Sequence, residues 1–208
     1  PAKLKIYQAM RDSCLDLGNH NVIDMLNVKY FLGDQRMQDG SQRMVSQPNP
    51  SGLPRAWFVD TTVVSQSKGE TFEILNSPAW DPGTTAILEK DLPSKPSKSG
   101  SDAVAITKYG SREISLKTTT AKTGLLVISE IYYPAGWKAF IDGSETEIYK
   151  TNYILRSVPV PPGNHEVVLR FDPPVYYLGY TLTQGAWGLT LLLVVAGLLR
   201  TPALMMRL

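Results

Sequence analysis

A single cysteine, Cys14, and only two histidines, His20 and His165, occur among the 208 residues. One thiol excludes an internal disulfide, and no CxxC or Cys/His spacing offers a metal site. Cys14 reads as a small, partly buried apolar residue. The histidines lie far apart, and each reads as a structural hydrogen-bonding group rather than a base. Glycine-rich phosphate loops are missing, and no nucleophile elbow frames a serine. Neither a cofactor nor a metal is expected, and no catalytic residue is identified. Charge is also sparse. Charged residues make up 19% of the chain, the net charge is +2, and Lys and Arg form no basic stripe, so no nucleic-acid partner is expected. The chain starts at Pro1 and shows no signal-peptide pattern. An extracytoplasmic segment would then take its route across the membrane from upstream, as the C-terminal piece of a longer protein.

The chain does have a long oily run. No charge interrupts Pro173 to Leu199, between Asp172 and Arg200. That exceeds the roughly 20 residues needed to cross a bilayer core. Tyr176, Tyr177 and Tyr180 cluster where an interfacial aromatic belt would sit, and Arg200 and Arg207 follow the other end. The pattern predicts a transmembrane helix over 173–199. Residues 200–208 would form a cytoplasmic tail, with the bulk of the chain extracytoplasmic. A buried helix of a soluble core is the alternative, but the rest of the chain is too small to enclose it. Thr181, Thr183, Gln184, Gly185, Ala186 and Gly188 suit packing against other helices, which suggests upstream transmembrane helices of the same protein as partners besides the lipid bilayer.

Before that helix the pattern is mainly β. Leu4, Ile6, Tyr7, Met10, Cys14 and Leu17 predict a short amphipathic helix ending at Gly18, and Asn21 is a candidate cap for a further turn. Residues 28–32 read as a strand closed by Gly33-Asp34, and 34–54 as a long surface loop. Strands are expected at 56–59, with 62–64 as an extension, and at 85–89; a short helix is expected at 70–76. Seven more strands follow, at 104–109, 113–117, 124–132, 137–141, 146–149, 153–157 and 166–171. Turns every 8–12 residues or so indicate a sandwich. Asp142-Gly143 marks a hairpin turn. Leu125-Leu126-Val127-Ile128 is apolar on both faces, as in a central strand covered on each side. Val167, Leu169 and Phe171 are placed in the core. The fold class is therefore mainly β: a β-sandwich-like extracytoplasmic domain with a few short helices and one C-terminal transmembrane helix. The expected division is a mixed α/β subdomain at 1–92, a linker at 93–102 and a β-sandwich domain at 103–172.

The stretches Val127-Ile128-Ser129-Glu130-Ile131-Tyr132-Tyr133-Pro134, Gly136-Trp137-Lys138-Ala139-Phe140-Ile141-Asp142-Gly143 and Ile148-Tyr149-Lys150-Thr151-Asn152-Tyr153 resemble the C-terminal region of the YfhO family of bacterial membrane proteins. Arg156-Ser157-Val158-Pro159-Val160-Pro161, Phe171-Asp172-Pro173, Met25 to Phe31 and Arg55 to Val59 resemble it too. Ala135 departs from the family's Tyr-Pro-Gly-Trp pattern by one turn residue. The resemblance implies a parent of the GT-C glycosyltransferase type in the bacterial cytoplasmic membrane. Such a parent would move a sugar from a polyprenyl-phosphate donor to a cell-envelope acceptor. Its catalytic carboxylates would lie in early outer loops that this chain does not contain. A non-catalytic, membrane-anchored glycan-binding or assembly module is the alternative.

Within the residues present, one surface could serve either role. Tyr133 and Trp137 flank a turn, with Lys138 and Arg156 in neighbouring strands. Aromatic faces stack on sugar rings, and a cation can meet a lipid phosphate. The competing reading is that Trp137 and one of the adjacent tyrosines simply fill the sandwich core.

Overall fold

The computed structural model describes residues 2–38 and 40–205. Arg207 of the expected tail lies outside the described residues. Compact packing divides the chain after Phe171, into a β-rich body and a C-terminal unit.

The body opens with α1 (Ala2–Met10), a π-helical turn (Arg11–Leu15) and α2 (His20–Met25). The α2 cap is Asn19, whose side chain accepts from the Val22 N–H. Asn21, the expected cap, instead donates to the Trp80 carbonyl. β1 (Tyr30–Arg36) and β2 (Gln42–Pro48) then form a two-stranded antiparallel hairpin. This corrects the expected loop over 34–54. Polar residues can pair in register without burying a face, so composition concealed the strands.

Next come β3 (Ala56–Val59), β4 (Thr61–Val64), α3 (Lys68–Leu75), β5 (Thr85–Leu88), β6 (Ala103–Tyr109), β7 (Glu113–Thr120) and β8 (Gly124–Ile128). The Ser67 side chain caps α3 by accepting from Glu70 N–H, and the Glu70 carboxylate reaches back to Gln66 N–H. The series ends with β9 (Trp137–Ile141), β10 (Ser144–Thr146), β11 (Tyr149–Thr151), β12 (Leu155–Val160) and β13 (Gly163–Phe171). Asp142 (φ 50°) and Gly143 (φ 85°) make the tight turn joining β9 to β10 that the sequence predicts.

Two larger sheets result, in the orders β10-β9-β13-β7-β6 and β3-β8-β12-β11-β5-β4. The outermost strands of the six-stranded sheet, β3 and β4, are separated along the chain by Asp60 alone. The sheet therefore curls until both its ends meet on one stretch of chain. Backbone N–H groups of Asp60 and Thr61 both donate to the Thr84 carbonyl at that corner.

Alternation along β8 fills two cores. Leu125 and Val127 pack with Trp57, Val59, Leu155 and the helical residues Met10, Cys14, Val22 and Met25. Leu126 and Ile128 face the five-stranded sheet and pack with Phe58, Val158, Leu116, Val167 and Leu169. The covered central strand expected from the Leu-Leu-Val-Ile run is thus present, and the fold is sheet-rich as expected. Phe171, placed in the core from sequence, is only half-buried. It sits at the end of β13, where partner strands run out. Strands from before and after 93–102 share the six-stranded sheet, so the chain does not separate at that segment. Long-range pairing of this kind leaves no mark in local composition.

The C-terminal unit carries α4 (Pro174–Met205). Its stretch Val175–Leu199, 25 residues, is long and apolar enough to cross a membrane. At 1.5 Å per residue that is about 37 Å, more than the ~30 Å hydrocarbon core. The large side chains from Val175 to Leu199 are exposed, and no face is set aside for a core. Hydroxyls of Thr181, Thr183 and Thr190 donate to carbonyls one turn back, which satisfies them inside the helix.

Candidate functional site

The face of β12 that looks between the two large sheets carries Arg156, Val158 and Val160. Val158 and Val160 lie in the apolar core. Arg156 closes its end, paired across the sheet with Ile128 and Lys150. The Arg156 guanidinium lies over the Trp137 ring, 4.4 Å from its centroid. Trp137 in turn packs against Phe171 at 5.4 Å, and Phe171 meets the Tyr133 ring at 6.5 Å. Register explains the grouping, because Trp137 and Phe171 are directly opposed on β9 and β13.

Arg156 is only 3% exposed. Its Nη2 donates to the Ile131 carbonyl at 2.9 Å, whereas Nε and Nη1 are buried without a hydrogen-bond partner. Burial pushes the guanidinium down to about 10, opposed by the nearby Glu130 charge and then by Tyr109. It stays cationic at neutral pH. Glu130 is engaged elsewhere: Oε1 accepts from Arg55 Nη1 at 2.8 Å and from the Tyr109 hydroxyl at 2.6 Å. That hydroxyl bond, more than burial, raises the Tyr109 pKa. The Arg55 guanidinium also lies 4.8 Å from the Tyr109 ring centroid.

Three of the four residues picked from sequence therefore come together: Tyr133, Trp137 and Arg156. Lys138 does not join them. Alternation turns it to the outer face of β9, where it is exposed and lies 3.6 Å from Glu145. Trp137 is partly buried against the inter-sheet core while Tyr133 is 39% exposed, so the pair both fills and exposes aromatic surface. Tyr132 lies outside any strand, because β8 ends at Ile128. Sequence reasoning missed Phe171 as an aromatic partner, and the Arg55–Glu130–Tyr109 cluster. Its members are 21 to 75 residues apart, and only register brings them together.

On the C-terminal unit, Tyr176, Tyr177 and Tyr180 are all exposed near the start of α4, and the Tyr176 and Tyr177 rings meet edge to face at 5.6 Å. Arg200 falls within its later turns. A cleft of about 720 Å³ lies elsewhere in the body, lined by Asp60, Thr61, Thr62, Asp91 and Lys95 among others. It offers no aromatic face. Among the described residues, no group of three or more His, Cys, Asp or Glu is placed to hold a metal ion.

No curated protein and no solved structure matches the chain. Residues 89–183 match the family model described as bacterial membrane protein YfhO. The matched span runs from the end of β5 through β13 and into α4. Its α4 portion opens a helix able to cross a bilayer, so the chain is part of a membrane protein, and its residues 89–183 are similar to the YfhO family.

Proposed function

We propose that the chain supports transfer of a sugar from a polyprenyl-phosphate donor to a cell-envelope acceptor, as the outer C-terminal part of a polytopic protein of the bacterial cytoplasmic membrane. The β-rich body faces outward, 173–199 spans the bilayer among upstream helices, and 200–208 is cytoplasmic. Tyr176, Tyr177, Tyr180 and Arg200 anchor the helix ends at the two interfaces. Tyr133 and Trp137 meet the glycan or its lipid phosphate together with Arg156, and Lys138 plays at most a peripheral part.

The observation that carries this reading is the Arg156–Trp137 stack on Phe171. Only Asp172 and Pro173 separate Phe171 from α4. Phe171, a member of the aromatic cluster, is thus the last residue of the body along the chain before the membrane-spanning segment. A sugar-stacking ring beside a guanidinium matches the two chemistries of a lipid-linked sugar.

Two measurements test it. In intact cells expressing the full parent protein, an impermeant maleimide should label Lys138→Cys without lysis and leave Trp187→Cys unlabelled. Labelling of Lys138→Cys only after lysis would overturn the topology. In membranes, Trp137→Ala and Tyr133→Ala should each lower turnover of a polyprenyl-phosphate sugar about tenfold or more, in line with the loss of one stacked ring plus orientation. Unchanged turnover in both would remove the contact. A module that binds glycan without transfer would show glycan-dependent shifts of Trp137 and no turnover in the parent.

A further inference from the structure

Arg156 is a buried and poorly compensated charge. Its guanidinium has five N–H donors, yet the structure gives it one hydrogen bond, to the Ile131 carbonyl, and leaves Nε and Nη1 buried and unpartnered. No carboxylate lies within ion-pair distance of it among the described residues, and Glu130 already serves Arg55 and Tyr109. The Trp137 ring covers one side of the cation but accepts no conventional hydrogen bond. A buried charge without a counter-ion is destabilising, and removing the group for an apolar one of similar volume is often neutral or better. Charge and unspent donors together are what an anion-binding residue requires.

The segment that meets it is irregular and held by few bonds. Ile131 to Gly136 has no regular secondary structure, and Tyr133, Pro134 and Ala135 are exposed. Two bonds hold its inner end down: Arg156 Nη2 to the Ile131 carbonyl, and Tyr132 N–H to the Ile154 carbonyl at 2.7 Å. Gly136, at φ 102°, turns the segment into β9 and donates to the Pro134 carbonyl at 3.1 Å. The first of the two holding bonds is the one an anion can exchange. It is a neutral carbonyl facing a cation that binds an anionic oxygen more strongly.

We propose that Arg156 binds a phosphate oxygen in exchange for the Ile131 carbonyl, and that Ile131–Gly136 is the cover that lifts to admit it. This rests on the reading above that Trp137 and Tyr133 face a lipid-linked sugar, and it adds the receptor residue, the bond exchanged and the moving segment. The phosphate is that of a lipid headgroup or a free phosphate.

The test uses the whole chain, uniformly ¹⁵N-labelled, in phosphate-free maltoside micelles. The Arg156 Nε–H and Trp137 indole signals are followed against inorganic phosphate, a short-chain phosphatidate and acetate. A saturable shift of Arg156 Nε–H with either phosphate probe, and not with acetate, is expected, with the backbone amides of Ile131, Tyr132, Tyr133, Ala135 and Gly136 moving at the same midpoint. Tighter binding of the phosphatidate assigns a headgroup, and equal binding assigns free phosphate. In Arg156→Lys, checked for fold by its Trp137 signal, the Trp137 midpoint should rise about tenfold, because an ammonium replaces the planar fork. Silence of Arg156 Nε–H towards both phosphate probes overturns the proposal without any variant, as does an equal response to acetate. A Trp137 shift with neutral glycan that persists while phosphate is silent leaves the sugar contact standing and removes only this inference.

Discussion

Nδ1 of His165 lies 2.6 Å from Oδ2 of Asp142, and the opposite ring nitrogen, Nε2, lies 3.1 Å from the Pro162 carbonyl oxygen. Both neighbours are acceptors, and only the doubly protonated ring can donate to both. The contact ties the β9–β10 turn to the start of β13. The Asp142 carboxylate foremost, and then the Pro162 carbonyl, raise the His165 pKa. His165, foremost, and the Glu166 N–H hold Asp142 below its ordinary value of 3.8. A raised folded-state histidine contributes stability that is complete below its unfolded value, about 6.5, and is lost as pH rises through the folded value. A lowered carboxylate contributes stability above its unfolded value and loses it in acid. The melting temperature of the chain in micelles should therefore fall from about pH 6.5 upward, and fall again in strong acid. His165→Asn should flatten the upper limb and Asp142→Asn both. A wild-type profile with no upper limb would contradict the assignment.

Asn152 is fully buried with φ 48°, and it completes β5 from outside the strand ladder. Its side-chain Oδ1 accepts from Ile87 N–H, and its own N–H donates to the Ile87 carbonyl, both at 2.8 Å. Asn152→Gly keeps the left-handed backbone and orphans one buried N–H, for a loss of about 1–3 kcal/mol. Asn152→Ala loses the same bond and adds about 1 kcal/mol or more of backbone strain. Denaturant unfolding should rank wild type above Gly and Gly above Ala. Equal stability of the two variants would show that the turn relaxes.

Gly124 begins β8 against the Phe58 ring, and a Cβ there would fall 2.7 Å from Phe58 Cδ1. Phe58 is 3% exposed within the inter-sheet core and has nowhere to swing. Gly124→Ala should cost about 1–3 kcal/mol through overpacking. Phe58→Leu in the same chain should recover part of that loss, a coupling that a double-mutant cycle reads directly.

Cys14 is buried, and burial pushes its thiol up to about 11, only partly offset by a contact from Asn76. The thiolate is the reactive form. In the folded chain a maleimide should leave Cys14 unmodified at neutral pH and label it fully in denaturant. As the only cysteine, it reports opening of the helical cover over the first core. Rapid labelling without denaturant would mean that α2 and the π-helical turn detach on their own.

Local signals made much of this legible in advance. The uncharged 173–199 run, the Asp142-Gly143 turn and the two-faced apolar run of β8 each carry their cause in adjacent residues. Phe171 was read as core because alternation continues through it, but the neighbouring strand ends there. The β1–β2 hairpin stayed hidden because both its faces are largely exposed and no apolar period marks it. At the candidate site, residue type singles out Trp137 and Arg156, and the strand register places them side by side. Lys138 shared the type but not the parity: it follows Trp137 directly and so points the other way. The Arg55–Glu130–Tyr109 cluster had no sequence signal, because Arg55 and Glu130 meet through the β3–β8 pairing and Tyr109 comes from β6 of the other sheet.

That curl also sets an order of assembly as the chain is made. The stretch 56–64 is made early, yet its β3 half waits for β8 at 124–128, and β8 waits for β12 at 155–160. At about 5–20 residues per second, Trp57 and Phe58 stay uncovered for several seconds after they emerge. Fourteen residues after β12 ends, α4 begins. Closure of the body and delivery of the oily helix thus fall almost together, and the nascent chain carries two sticky surfaces at once. Its yield should depend on holdase chaperones and on prompt insertion of α4 more than on the stability of the finished body.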